Sequence, residues 1–399
     1  MKIFKFLAVA LVAMFGFSSC NKDCDHDFIE YDNNEARVGT WTCLTADYAE
    51  ALVIKADGSV GSTGVEDGEY WDGVKGNIKT VNNKMTLTFE DGDNYEGRFE
   101  MICGEAFTIF DENGKHLTYR YCANDLADEI VGMWIATTGP YMSVEVFNED
   151  GSAIYTGFVP ESEEMAVTSV TSYKVVGDLQ FHTVAEDNST YVVHRLIYSP
   201  SSQTSLGEIM TWQVDENISF PRLRVKQSLD LSGKKYDYIK TFVTNVDGLD
   251  KDINFMGFEF NFAKMDGVKL DKMLKTLLFN VEFPDANTIK YACHYNNEPM
   301  SLDVPIVVDG NKMTVKMSTK NAAYKDIDLY TFQDADCSQM HMYMPTYAFI
   351  NFFGNMQVIM MSQLGQLDTN NAEAVKAVFD SIDDAVNTIN VSFVMSQSK

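Results

Sequence analysis

The sequence predicts a mainly β protein made of tandem antiparallel barrels or meanders, the C-terminal one with an inserted α-helical hairpin. Short runs alternate apolar and polar residues, as in Met85–Phe89, which is the pattern of half-buried strands. Turn residues such as Asp111–Gly114 separate the runs, and an Asn-Gly pair between alternating runs indicates a hairpin. From Trp41 to Tyr121 this pattern predicts an up-and-down meander.

The meander then recurs along the chain. Gly39-Thr40-Trp41 reappears as Gly132-Met133-Trp134, and Asp57-Gly58-Ser59 reappears at the same offset as Asp150-Gly151-Ser152. Two markers that share one offset indicate a duplication.

A third copy is fainter. Asn83-Lys84-Met85-Thr86 reappears as Asn311-Lys312-Met313-Thr314, and Asp285 corresponds to Asp57. This copy lacks the Gly-x-Trp opening, and we expect its first strand at Ile253–Phe262.

A Gly-x-Trp motif opens each of the first two copies, and an arginine stands near the end of each. The residues are Trp41 with Arg120 and Trp134 with Arg224. This arrangement resembles the lipocalin or calycin superfamily over residues 38–226, and more loosely beyond. The resemblance implies eight-stranded barrels in which the tryptophan closes the base and the arginine packs across it. Whether such barrels are hollow or filled by their own side chains stays open.

The C-terminal copy also predicts two helices, at about 346–388. Phe349–Leu364 is apolar and rich in methionine, and Asp368–Asn370 could cap a second helix. An apolar stripe with spacings of three and four follows, formed by Ala372, Val375, Phe379, Ile382 and Val386. We expect this hairpin to cover a barrel mouth or a sheet edge.

The N-terminus reads as a lipoprotein signal peptide. Lys2 and Lys5 precede an apolar run, Phe6–Phe17, which is too short for a comfortable membrane span. Ser18 and Ser19 stand before Cys20, so we expect cleavage there and lipid attachment to Cys20; an ordinary secretory signal is the alternative.

The residues Cys20–Asp25 resemble the start of lipoproteins of anaerobic Gram-negative gut bacteria. That resemblance implies an outer-membrane, lipid-anchored protein exposed at the cell surface, with inward-facing attachment as the alternative. The predicted domains are a signal peptide (1–19), an acidic tether (20–37) and three lipocalin-like β domains (38–125, 126–226 and 227–399).

The net charge and the residue motifs argue against several classes of function. The formal net charge of -27 argues against nucleic acid as a partner. The six histidines show no metal-binding spacing, and no serine-nucleophile or phosphate-loop motif occurs. We therefore predict no catalytic residue, no metal, no cofactor and no enzymatic activity. The pairing of the cysteines other than Cys20 is left open; they are Cys24, Cys43, Cys103, Cys122, Cys293 and Cys337.

Methionines around the predicted hairpin are the most suggestive functional residues, because methionine gives an adaptable apolar lining. We predict that the C-terminal domain binds an apolar small molecule or a glycan there; core packing is the simpler alternative. The candidate ligand-binding residues are Met342, Met344, Phe349, Phe353, Met356 and Met360. The alternative function is a structural or adhesive stalk of filled barrels that contacts a cell-surface partner protein.

Overall fold

The computed structural model describes residues 38–398. The gaps are 82–83, 91, 93, 103–105, 111–115, 137–142, 160–163, 185–186, 205–206, 215–216, 249–251, 256–257, 262–263, 265–270, 273–274, 276–279 and 296–297. The chain is mainly β, and three closed antiparallel barrels of eight strands each confirm the predicted fold class. The signal peptide, Cys20 and the tether lie outside the described residues.

The first barrel is a meander in chain order. Its strands are β1 (Gly39–Leu44), β2 (Tyr48–Ile54), β3 (Ser59–Glu66), β4 (Glu69–Val81), β5 (Lys84–Phe89), β6 (Asn94–Ile102), β7 (Ala106–Phe110) and β8 (His116–Cys122).

The second barrel follows a short helix, α1 (Ala127–Ile130), and closes by pairing of its first and last strands. Its strands are β9 (Gly132–Ala136), β10 (Ser143–Phe147), β11 (Ser152–Val159), β12 (Glu164–Val176), β13 (Leu179–Val184), β14 (Asp187–Ser199), β15 (Ile209–Gln213) and β16 (Ser219–Val225).

The third barrel begins at β17 (Lys234–Gly248), so the prediction that its first strand is Ile253–Phe262 is wrong. That region contains β18 (Asp252–Phe255) and β19 (Phe258–Asn261), which form a separate two-stranded sheet. Alternating apolar and polar residues predict a strand but do not show which strand it pairs with. The sequence pattern therefore indicated the wrong segment as the first strand of this barrel. The other strands are β20 (Asn280–Asp285), β21 (Thr288–Tyr295), β22 (Glu298–Asp309), β23 (Lys312–Val315), β24 (Ile327–Gln333), β25 (Gln339–Met344) and β26 (Val386–Gln397).

The predicted helical hairpin is confirmed between β25 and β26. Its helices are α2 (Thr346–Gln363) and α3 (Ala372–Asp383). Asn371 caps α3, because its side chain accepts a hydrogen bond from the Ala374 N–H at 3.1 Å. Among the described residues, no helix is both long and apolar enough to span a membrane.

An aspartate side chain stabilises the turn between the second and third strands in all three barrels. Asp57 accepts from the Ser59 N–H at 2.9 Å, and Asp150 accepts from the Ser152 N–H at 2.9 Å. Asp285 accepts from the Asn287 N–H at 2.8 Å. The aspartates that marked the sequence repeat therefore stabilise turns at corresponding positions of the three barrels.

Candidate functional site

Side-chain alternation divides the second barrel into an outer face and an interior. Val144 and Val146 of β10 belong to an outer apolar cluster, so Glu145 and Phe147 face inward. Leu179 of β13 likewise belongs to an outer cluster. The same reasoning on β13, β14, β15 and β16 directs the following side chains into the interior: Gln180, His182, His194, Trp212 and Arg222.

One end of this barrel is closed by Trp134. Its indole Nε1–H donates to the Ile130 carbonyl of α1 at 2.7 Å. The Arg224 guanidinium lies 4.9 Å from the Trp134 ring centroid and donates to the Val131 carbonyl at 3.1 Å. Arg224 also forms an ion pair with Glu208 at 3.2 Å. The tryptophan is thus held against both the helix and the last strand.

An apolar base lies above this closed end. Trp212 packs on Phe147 with ring centroids 5.7 Å apart and meets Trp134 edge-on at 5.9 Å. Met210 and Leu196 belong to the same buried cluster. Large rings pack efficiently here and fill the lower part of the interior.

A buried ion pair lies in the interior. Arg222 donates from Nε and Nη2 to Oε1 of Glu145, at 3.0 and 2.9 Å. Burial, with the nearby Glu145 carboxylate, raises the pKa of Tyr155 to about 12, so its hydroxyl stays protonated. Each charge of the pair is compensated by the other, as burial requires.

His182 and His194 meet inside the barrel. The Nε2 atom of His182 lies 3.1 Å from Nδ1 of His194, and Nδ1 of His182 lies 3.4 Å from the Thr183 carbonyl. Burial lowers the pKa of His182, and burial with the charge of Arg222 and the second imidazole lowers that of His194 to about 3. Both rings are therefore neutral near pH 7. The sequence spacing of these histidines did not indicate a pair, because only the β13–β14 register brings them together.

Gln180 is fully buried next to the histidines, opposite His194 in the strand pairing. Its Oε1 accepts from Trp212 Nε1–H at 2.6 Å, which fixes the orientation of the amide. Its Nε2 is buried and has no hydrogen-bond partner among the described residues. A buried amide donor normally has a partner, so this group indicates a missing one.

The described residues at the opposite end of the barrel include exposed apolar side chains. Val192 lies two residues before His194, and Phe220 lies two residues before Arg222, so both share the interior face of their strands. They are nevertheless 37% and 46% exposed. Val214 and Ile218, in the turn between β15 and β16, are also exposed. We call Val192, Val214, Ile218 and Phe220 the apolar rim.

The predicted methionine site lies in the third barrel. Met342, Met344, Phe349 and Phe353 are buried in its main apolar cluster, with Met356 packed against that cluster. Met360 of α2 is also buried. The structure thus brings five of these residues together in a core of packed side chains.

In the first barrel, Trp41, which was predicted to close the base, packs against aromatic rings. Trp41 is buried and meets Phe107 at 4.8 Å and Tyr121 at 5.2 Å. Arg120, which precedes Tyr121 in the sequence, is exposed on β8. The ring of Tyr121 therefore covers Trp41.

Within the described part of the chain, no three side chains of the metal-binding types come together. Cys122 and Cys337 are free thiols. Cys20, Cys24 and Cys103 lie outside the described residues.

No known family model matches this sequence, and no curated protein matches it. Among solved structures, the chain is similar to a double mutant of transferrin binding protein B from Haemophilus parasuis Hp5, with a TM-score of 0.24 and 11% identity. The alignment covers 88% of this chain and 66% of that one.

Isotype 1 transferrin binding protein B from serogroup B Neisseria meningitidis has a TM-score of 0.21 and 9% identity, with 88% and 66% covered. The DNA polymerase III β subunit from Thermotoga maritima has a TM-score of 0.13 and 9% identity, with 76% and 87% covered. This chain thus spans slightly less than two thirds of the transferrin-binding chains. At such TM-scores the similarities carry no functional argument, and the architecture rests on the strand pairing.

Proposed function

We propose that this protein is a non-enzymatic lipoprotein, anchored in the outer membrane through Cys20, that binds a small molecule at the end of its second barrel opposite Trp134. The observation that carries the proposal is the layered interior of that barrel. An exposed apolar rim leads to polar groups with an unpartnered amide, and these lie above a closed aromatic base. Binding sites commonly combine an apolar lining with a few convergent polar groups.

Native mass spectrometry of the mature chain purified from its host tests this role. We expect a bound small molecule that is lost in Phe220→Asp, because a carboxylate in the rim opposes entry of an apolar group. Val307→Asp in the third barrel is the matched control, since Val307 is also apolar and is 53% exposed. The proposal fails if the protein is always empty, or if both variants lose the molecule equally.

The anchor and the surface location rest on the signal peptide and on Cys20–Asp25. Several buried acyl chains would make the attachment effectively permanent. Cys20→Ser should move the protein from the membrane fraction to the soluble fraction. External protease should degrade the wild-type protein on intact cells if it faces outward, and spare it if it faces the periplasm.

A second candidate function is a display stalk that contacts a partner protein. The packed interior of the third barrel favours it, because a barrel filled with its own side chains can still present an outer surface. The names of the transferrin-binding chains suggest a protein ligand for those proteins, but the TM-scores are too low to extend that role. Proximity crosslinking on cells that recovers no neighbouring protein would exclude the stalk.

Binding of an apolar small molecule or a glycan under α2 stays a prediction. A ligand there would have to displace Phe349, Phe353 or the buried methionines. Met342→Ala would then open space and strengthen binding, whereas it would leave a ligand of the second barrel unaffected.

A further inference from the structure

On the assumption that the proposed function holds, the polar side chains inside the second barrel indicate the chemical class of its ligand. We call these side chains the polar layer: Glu145, Tyr155, Gln180, His182, His194 and Arg222. The hydrogen bonds of the two histidines determine which ring nitrogens carry protons. A carbonyl oxygen only accepts, so His182 Nδ1 carries the proton toward Thr183. In the neutral ring, His182 Nε2 is then an acceptor, and His194 Nδ1 must donate to it.

It follows that the remaining nitrogen of His194, Nε2, has a lone pair. No hydrogen-bond donor contacts it within the described residues, and the ring is only partly buried. The layer therefore offers one acceptor at His194 Nε2.

Gln180 supplies the hydrogen-bond donor of this layer. Its oxygen is occupied by the Trp212 indole, so the amide presents its Nε2–H group as a donor. Leaving such a buried donor unpaired is unfavourable. Gln180 and His194 are opposite each other on β13 and β14, so the donor and the acceptor lie on neighbouring strands at the same level of the barrel.

Arg222 and Glu145 neutralise each other through two contacts with one carboxylate oxygen. The histidines are neutral, and Tyr155 is protonated. Among the side chains that the structure describes in this layer, no uncompensated charge is thus available to an ionic ligand.

We infer that the second barrel binds an uncharged amphipathic molecule whose inner end supplies both a hydrogen-bond acceptor for Gln180 and a donor for His194, such as a primary amide or a hydroxyl. Its apolar part lies between Val192 and Phe220. An ionised end group would be buried without a counter-charge, which is costly.

Three probes with the same tail separate the alternatives: octanamide, octanoate and octylamine. Calorimetric titration into the full chain carrying Cys20→Ser should show octanamide binding at least about tenfold more tightly than either ion. Equal or tighter binding of octanoate or octylamine would overturn the inference but leave a small-molecule site in place. Binding of none of the three would also overturn it, and the mass spectrometry above then decides the proposed function separately.

A pair of isosteric variants tests the amide. Gln180→Met keeps the length of the side chain and removes its donor, so octanamide affinity should fall about tenfold. Gln213→Met is the control, because Gln213 follows Trp212 and faces outward. Unchanged affinity in Gln180→Met, with an unchanged melting temperature, would contradict the assignment.

Discussion

His341 on β25 shows how burial alone sets the behaviour of a residue. It pairs with Phe332 and Val394 in the neighbouring strands, and its Nε2 is buried without a partner among the described residues. Desolvation lowers its pKa from 6.5 to about 4. The unfolded chain therefore binds a proton more readily than the folded one between these values.

We predict that His341→Phe reduces the acid sensitivity of folding. The stabilisation tied to neutral His341 is fully present above pH 6.5 and is lost as the pH falls toward about 4, by about 3 kcal/mol in all. Urea unfolding of the parent and the variant at a series of pH values would measure this difference. His116→Phe, at an exposed position of β8, should leave the dependence of the unfolding free energy on pH as it is in the parent. If the unfolding free energy of His341→Phe changes with pH in the same way as that of the parent, the prediction is wrong.

A second prediction concerns the ion pair of the second barrel. Arg222→Met leaves Glu145 buried without its partner and should destabilise the protein by about 3–5 kcal/mol. Adding Glu145→Gln should recover part of that loss, which a double-mutant cycle in urea would show. Lys84→Met is the control, because the Lys84–Glu96 pair is exposed and should contribute about 1 kcal/mol or less. If the effects of Arg222→Met and Glu145→Gln on the free energy of unfolding are fully additive, this explanation is wrong.

At the scale of elements, local patterns were the easiest to predict. The stripe of α3 is contained in one segment, and Val375, Phe379 and Ile382 are indeed buried. The Gly-x-Trp repeat likewise indicated equivalent strands. The first strand of the third barrel and the His182–His194 contact were not predictable in this way, because each depends on which distant strands pair.

At Gly354, where α2 packs on α3, helix propensity and packing predict opposite effects of an alanine substitution on stability. A Cβ atom on Gly354 would clash with the ring of Phe379. Helix propensity alone favours alanine by about 1 kcal/mol, yet we expect Gly354→Ala to destabilise the protein by about 1–3 kcal/mol through overpacking. Thermal unfolding would measure it. Phe379→Leu in the same chain should relieve the clash, so a stabilised single variant, or a double variant with no relief, would argue against it.

At the scale of the molecule, the second and third barrels share an apolar interface within one compact unit. Ile135, Val144 and Leu223 of the second barrel cluster with Tyr330 and Tyr343 of the third. The Tyr330 hydroxyl also accepts from the Met165 N–H at 3.1 Å. Burial of this kind couples the stability of the two barrels, because opening either one exposes the other.

This coupling predicts an effect that crosses from one barrel to the next. Leu223→Ala removes part of the interface from the second barrel and should cost about 2 kcal/mol or more. Hydrogen exchange of β24 and β25 in the third barrel should become faster, since their outer face loses its cover. Leu196→Ala makes the same change inside the second barrel and should affect β24 and β25 less. Unchanged exchange in β24 and β25 of the Leu223 variant would mean that the two barrels open independently, despite their shared cluster.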